Sequence, residues 1–142
     1  MTTRNITILS LAVLMLGAVA AHAQQVHSVR ATIPFEFTVD RDTYPAGEYT
    51  VIFSPFQNRE LVVLSGSDGK SLRFMNTLPC EPCEKTEEAY LLFRGYGTRQ
   101  FLAQIWTGRS AMGRQLLMSK AEREIAKSAA NNGPRKLLLA AN

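Results

Sequence analysis

The sequence contains few of the two residue types that proteins use most widely for nucleophilic catalysis and metal binding. It has two histidines, His22 and His27, and two cysteines, Cys80 and Cys83. A Ser-His-Asp or Cys-His hydrolase needs a histidine next to its nucleophile, and a structural zinc site needs four ligands. The composition therefore predicts no catalytic set, no cofactor and no metal site, and we expect a protein that is not an enzyme.

The two cysteines form one short motif, Cys80-Glu81-Pro82-Cys83. Thioredoxin-like redox centres share this spacing, but they need a βαβ frame and a helix N-terminus that lowers the thiolate pKa. Here predicted hairpins surround the motif, and neighbouring acids such as Glu84 would raise the thiolate pKa. We predict a local disulfide between Cys80 and Cys83 or two inert thiols, with a redox centre and a metal site as the alternatives.

Long apolar runs are missing except at the N-terminus. Arg4 precedes an apolar run over residues 6–20, and the segment Ala21-His22-Ala23 puts small residues three and one before Gln24. This is the layout of a secretory signal peptide, and the run is short for a membrane span. The sequence predicts export to the periplasm or the medium after cleavage between Ala23 and Gln24. It predicts no transmembrane segment in the mature chain.

Acidic residues are scarce in the last third of the chain. Residues 24–93 hold six basic and ten acidic side chains, a net charge of −4, whereas residues 94–142 hold nine basic and two acidic ones, a net charge of +7. One interpretation is a basic surface that meets an anionic partner, such as a cell-wall polymer or an anionic envelope surface. The other, which composition favours, is that the two halves fold against each other and partly neutralise.

Apolar and polar residues alternate through most of residues 29–106. In residues 29–39 every odd position is apolar, which is the pattern of a strand with one buried face. Pro34 cannot donate a ladder hydrogen bond, so it places this strand at an edge or a bulge. Short turns separate five further strands. The spacing predicts an all-β domain, an antiparallel meander of about six strands, built as a small sandwich or a partly closed barrel.

A C-terminal α-helix is expected to pack on these strands. Ser119 and Glu122 have the spacing of a capping box, which predicts a helix that ends before Gly133 and Pro134. Residues beyond it are expected to form a loosely held tail. The predicted division of the chain is a signal peptide over 1–23, the β domain over 24–115, and the helix with its tail over 116–142.

Four short motifs together resemble a known group of proteins. They are IPFEFTV at 33–39, YPAGEY at 44–49, QIW at 104–106 and AERE at 121–124. Small exported bacterial proteins with no assigned activity share the pattern IPFxFxV…PAGxY…QIW…SxAERE. The resemblance implies export and this architecture, and it supplies no catalytic residue. The pair Cys80 and Cys83 is not a feature of that group.

The predicted hairpin at 93–101 mixes arginines with aromatic rings. Nucleic-acid-binding sheets use such mixtures, but an exported protein rarely meets nucleic acid, so carbohydrate or a cell-wall glycan is the expected ligand. We predict Tyr96 as an exposed ring at the turn, with Arg94 and Arg99 beside it as surface contacts.

These patterns predict an exported, non-enzymatic binding or structural module of the cell envelope or extracellular space. The alternative is a lipocalin-like carrier of a small molecule in an internal cavity, although a barrel needs about eight strands to enclose one small ligand. A third hypothesis is a thiol-disulfide protein centred on Cys80 and Cys83.

Overall fold

The computed structural model describes residues 28–53, 61–69, 72–82, 86–108, 113–129 and 133–142. These residues form ten strands and one helix, which we number in chain order. They are β1 (Ser28–Ile33), β2 (Phe37–Val39), β3 (Asp42–Tyr44), β4 (Gly47–Phe53), β5 (Leu61–Gly66), β6 (Leu72–Cys80), β7 (Ala89–Tyr96), β8 (Arg99–Thr107), β9 (Gly113–Leu116), α1 (Lys120–Ser128) and β10 (Arg135–Ala141).

The strands belong to one mostly antiparallel sheet. Its order is β1-β4-β5-β6-β9-β8-β7-β10, and the short hairpin of β2 and β3 joins it where β2 runs parallel to β8. The predicted all-β class, the antiparallel pairing and the helix near the C-terminus are confirmed. The described residues contain ten strands instead of about six, because Pro34 separates β1 from β2 and because β3, β9 and β10 were not predicted.

The sheet is not closed, but its two end strands meet at one point. Arg30 in β1 and Asn142, directly after β10, exchange two backbone hydrogen bonds of 2.6 and 2.8 Å. The inner face surrounds one hydrophobic core to which each of the ten strands contributes a buried residue. Curvature of the sheet therefore allows one face of every strand to share the same core.

Aromatic rings fill part of this core. Phe37 is 1% exposed, and its ring centroid lies 5.0 to 5.7 Å from the centroids of Tyr44, Tyr49 and Phe93. Phe35 packs edge-on against Phe93 at 5.1 Å. Contacts at these separations are those of aromatic pairs in well-packed protein interiors. The described interior around Phe37 is thus occupied by the protein's own side chains.

A second, smaller cluster lies on the opposite face of β7 and β8. It consists of Tyr90, Leu92, Ala103 and Trp106, all buried. Tyr90 and Trp106 are direct neighbours across the two strands, and their rings stack at 6.2 Å. This outer face of the sheet is therefore covered by other parts of the chain.

The helix α1 begins where its cap residue predicts. The Ser119 side chain accepts a 3.1 Å hydrogen bond from the Glu122 backbone N–H, which satisfies a donor at the helix N-terminus. The second half of the predicted capping box does not form, since the Glu122 carboxylate instead binds Arg94 on the sheet. The same glutamate therefore positions the helix against β7.

The prediction of a loose tail after the helix is wrong. Residues Arg135–Ala141 form β10, which pairs with β7 along all seven of its residues. Leu137, Leu139 and Ala141 face the core, so the alternation of a half-buried strand was present in this segment. Its pairing partner, the free edge of β7, is forty to fifty-two residues distant in the chain and leaves no mark in the local sequence.

The predicted signal peptide, its cleavage site, His27 and Cys83 lie outside the described residues. No helix in the described part of the chain is long and apolar enough to cross a membrane.

Candidate functional site

The cysteine motif begins on a polar cluster at the end of β6. The buried Gln104 side chain donates hydrogen bonds of 2.7 Å from Nε2 to the Cys80 sulfur and to the Glu81 carbonyl oxygen. Tyr90 donates its hydroxyl to Gln104 Oε1 at 3.5 Å. Because an amide nitrogen carries two hydrogens, Gln104 can serve both acceptors. It thereby fixes the first half of the motif to the outer face of β8, while the predicted bridge to Cys83 remains a prediction.

No group of three or more histidine, cysteine, aspartate or glutamate side chains within the described residues is arranged to hold a metal ion.

The ring of Tyr96 is buried, so the prediction of an exposed ring at the hairpin turn is wrong. It is 7% exposed and packs edge-on against Phe101 at 5.9 Å. Its hydroxyl donates a 3.5 Å hydrogen bond to Glu122 Oε1. Burial, followed by the charge of Glu122, raises the pKa of Tyr96 above its ordinary value, while Arg94 acts in the opposite direction. The helix covers this ring, which the local turn sequence could not reveal.

Arg94 also binds Glu122. Its Nε lies 2.5 Å from Glu122 Oε1 and its Nη2 lies 3.2 Å from Oε2, so the guanidinium and the carboxylate form a two-pronged pair. The side chains of Arg94 and Glu122 are 20% and 3% exposed. Such planar pairs are strong and geometrically specific. The surface contact predicted for Arg94 is therefore not the role that its geometry supports; it joins the helix to the sheet.

Arg99 keeps the exposed position that the sequence predicts. It begins β8 directly opposite Tyr96, and its guanidinium carbon lies 5.6 Å from the Phe101 ring centroid. The contact with the ring holds the side chain by a cation–π interaction. Its charged end remains available to solvent or to a ligand.

An open groove of about 360 Å³ lies beside Tyr96, the strand neighbour of Arg99, between the tip of the β7–β8 hairpin and the end of α1. We call it the hairpin groove. Exposed Arg135 lies at one side of it, at the start of β10 and opposite Gly95. Sequence reasoning missed this site because β10 and the helix end come to the hairpin from distant parts of the chain. Its lining residues are Gly95, Tyr96, Gly97, Ser128, Ala129, Gly133 and Arg135.

Five ion pairs between described side chains each stay within one half of the chain. They join Arg30 with Glu48, Arg73 with Asp40 and Asp42, Arg94 with Glu122, and Lys127 with Glu124. Each pair lies within residues 24–93 or within residues 94–142. The two acidic residues of the basic half are thus both engaged inside that half.

A second exposed surface is apolar. Phe74 and Leu78 of β6 are 65% and 42% exposed, and Leu117, directly after β9, is 64% exposed. Because β6 pairs with β9, these three side chains lie near one another. We call them the β6–β9 patch. It is separate from the hairpin groove, whose lining contains none of them.

Comparisons of the chain with protein families, with curated proteins and with solved structures found no match.

Proposed function

We propose that the protein is an exported, non-enzymatic binding module of the cell envelope or extracellular space, and that it holds an anionic partner at the hairpin groove. The observation that carries the proposal is a pair of exposed arginines at the end of the sheet: Arg135 lines the open groove, and Arg99 lies opposite Tyr96, which also lines it. Clefts lined by one sign of charge concentrate ligands of the opposite sign.

The charge distribution supports this proposal over internal neutralisation. Residues 94–142 carry a net charge of +7, and their acids, Glu122 and Glu124, pair with Arg94 and Lys127. These acids therefore do not neutralise the arginines at the groove. The cationic surface remains directed outward, where it attracts an anionic polymer or surface.

The carrier hypothesis has less support. An internal ligand needs space on the inner face of the sheet, and there the rings of Phe37, Tyr44, Tyr49 and Phe93 contact one another. Removing these contacts to admit a ligand would cost much of the core's packing. The groove at the hairpin needs no such rearrangement.

The binding part of the proposal is tested with dextran sulfate as a generic polyanion and with neutral dextran. We expect dextran sulfate alone to bind, and we expect affinity to fall by roughly tenfold or more between 20 and 300 mM salt because salt screens exposed charges. Arg99→Gln and Arg135→Gln should each weaken binding by roughly fivefold. Equal binding of the two polymers would contradict the proposal.

A matched control removes a positive charge elsewhere. Arg30 is exposed and lies beside Asn142, at the end of β10 that is remote from Arg135 by roughly 23 Å of strand. Arg30→Gln should leave the affinity for dextran sulfate nearly unchanged. If it weakens binding as much as Arg135→Gln, attraction is spread over the whole molecule and the groove is not the site.

The export part is tested separately. In a bacterial host, the protein recovered from the periplasm or the medium should begin at Gln24 when its N-terminus is sequenced. Retention of the full chain in the cytoplasm would contradict export without bearing on the groove.

A further inference from the structure

We infer that the anionic partner is an acidic polysaccharide, with its charged groups on Arg99 and Arg135 and a short run of sugars in the hairpin groove. This inference rests on the proposed function and specifies its partner.

The register of the strands favours a polymer over a small anion. Arg135 lies opposite Gly95, whereas Arg99 lies opposite Tyr96. Successive residues of a strand point to opposite faces of a sheet, so the two arginines lie on opposite faces at its end. A single small anion does not reach both. A chain with repeated charges that passes over the hairpin tip contacts one arginine on each face.

The lining of the groove favours sugar hydroxyls as hydrogen-bonding groups. Three of its seven residues are glycines, and at Gly97 and Gly133 no atom lies within 4 Å of the position that a Cβ would take. A ligand can therefore approach the backbone closely there. Ser128 donates its hydroxyl to the Glu124 carbonyl at 3.1 Å, and its oxygen retains lone pairs that can accept a hydrogen bond from a sugar hydroxyl.

Nucleic acid fits this lining poorly. Single-stranded nucleic acids gain much of their binding energy from bases stacked on exposed aromatic rings. The aromatic residue of the described lining, Tyr96, is 7% exposed and has Phe101 against it. The exposed ring of Phe74 is on β6, outside the groove. A polymer that binds here must be recognised without base stacking.

A lipid surface also fits poorly. Interfacial binding needs bulky apolar side chains that enter the bilayer beside the basic ones. The lining contains glycine, alanine and serine around Tyr96 and Arg135. The largest exposed apolar side chains, those of Phe74 and Leu117, are not in it.

The groove volume of about 360 Å³ lies at the lower end of the range for small-ligand sites, which suits a short stretch of a polysaccharide.

The test measures binding of the purified protein to six probes at 150 mM salt. Three are acidic polysaccharides, polygalacturonate with carboxylates, phosphomannan with phosphates and dextran sulfate with sulfates, and they distinguish the sources of charge. The others are polyacrylate, which carries carboxylates without sugars, a twenty-residue oligothymidylate, and vesicles containing phosphatidylglycerol. We expect one acidic polysaccharide to bind roughly tenfold or more tightly than polyacrylate, oligothymidylate or the vesicles.

Variants connect the preference to the groove. Arg99→Gln and Arg135→Gln should each weaken polysaccharide binding by roughly fivefold, and together by roughly twenty-five-fold, because exposed sites that are well separated act nearly independently. Arg30→Gln is the control and should have little effect.

Failure of this inference and failure of the proposed function give different results. If polyacrylate binds as tightly as every acidic polysaccharide, or if oligothymidylate or the vesicles bind more tightly, the polysaccharide inference is overturned while anion binding at the groove stands. If neither dextran sulfate nor any other polyanion binds, the proposed function is overturned as well.

Discussion

Two regions of the same sheet have outer faces that differ in how they are covered. On β7 and β8 the outer residues Tyr90, Leu92 and Trp106 are buried, whereas on β6 the outer residues Phe74 and Leu78 are exposed. Both regions carry apolar side chains, so hydrophobicity alone does not determine which face becomes covered. The covered face also carries polar groups that bind other parts of the chain, those of Arg94, Gln104 and the Trp106 indole.

Hydrogen bonds and one ion pair attach the covering segments to the outer face of β7 and β8. Trp106 donates its indole N–H to the Thr86 carbonyl at 3.2 Å, and Gln104 holds Cys80 and the Glu81 carbonyl. Glu122 is the buried residue of α1. The helix is therefore attached to the sheet by a carboxylate and not by an apolar stripe, which is unusual for a surface helix.

The largest expected loss of stability comes from breaking the buried ion pair between Arg94 and Glu122. Arg94→Met leaves the Glu122 carboxylate buried without its partner, which should lower the free energy of unfolding by about 3 to 5 kcal/mol. Urea unfolding at pH 7 measures the loss. The exposed pair of Lys127 and Glu124 provides the control, and Lys127→Met should cost less than about 1 kcal/mol.

A double variant keeps this test interpretable if the single variant does not fold. Arg94→Met combined with Glu122→Leu removes both charges, and we expect it to recover most of the lost stability because no buried charge remains. A double variant as unstable as Arg94→Met would show that the pair is not the source of the loss.

Close packing on the covered face gives the next largest effect. A Cβ at Gly113 would lie 2.8 Å from Trp106 Cε3 and 3.2 Å from the Ile105 carbonyl oxygen. Gly113→Ala should therefore destabilise the protein by about 1 to 3 kcal/mol, as measured by thermal or urea unfolding. At Gly47 the nearest such atom, Tyr49 Cε2, is 3.6 Å away, so Gly47→Ala is the matched control and should be nearly neutral.

Tyr96 provides a smaller, pH-dependent test beneath the helix. Burial and the charge of Glu122 raise its pKa above the ordinary value of 10.0, so the folded state favours the neutral phenol. The stability that this provides is complete below the ordinary pKa and is lost as pH rises through the higher pKa of the folded state. Tyr96→Phe should cost about 0.5 kcal/mol at pH 7. The variant should also lose less stability than the unmodified protein between about pH 9 and pH 11. If the two proteins lose the same stability in this range, ionisation of Tyr96 is not the cause of the alkaline loss.

The uncovered face should show the smallest effect on stability. Phe74→Ser removes a side chain that is 65% exposed and that has little packing to lose, so unfolding should change by less than about 0.5 kcal/mol. The same variant should raise solubility, because it reduces an exposed apolar patch. A loss above about 2 kcal/mol would show that another part of the molecule packs on this face and would remove the contrast between the two regions.

Local sequence signals predicted the parts of the fold that depend on neighbouring residues. The predicted hairpin at 93–101 turns at Gly97 with a φ value of +61°, which glycine adopts without steric strain. Ser119 caps the helix as its spacing indicates. The alternation around Val29 and Phe37 gave their buried positions correctly.

The errors occur where a distant segment decides the environment. Phe74 is an aromatic residue on a strand, as Phe37 is, but its face points outward and leaves it exposed. Tyr96 sits beside an exposed turn and is nevertheless buried, because α1 lies over it. A period of two gives the two faces of a strand without saying which face the rest of the chain will cover.

By itself the sequence determined the all-β class, the antiparallel hairpins and the helix cap, since backbone dihedrals and side-chain alternation act over a few residues. Only the tertiary structure decided that β10 pairs with β7, that Glu122 binds Arg94, and that Arg135 and Tyr96 line one groove. These contacts join residues that are up to fifty-two positions apart. Their formation depends on the edges and faces that remain available once the local elements have assembled.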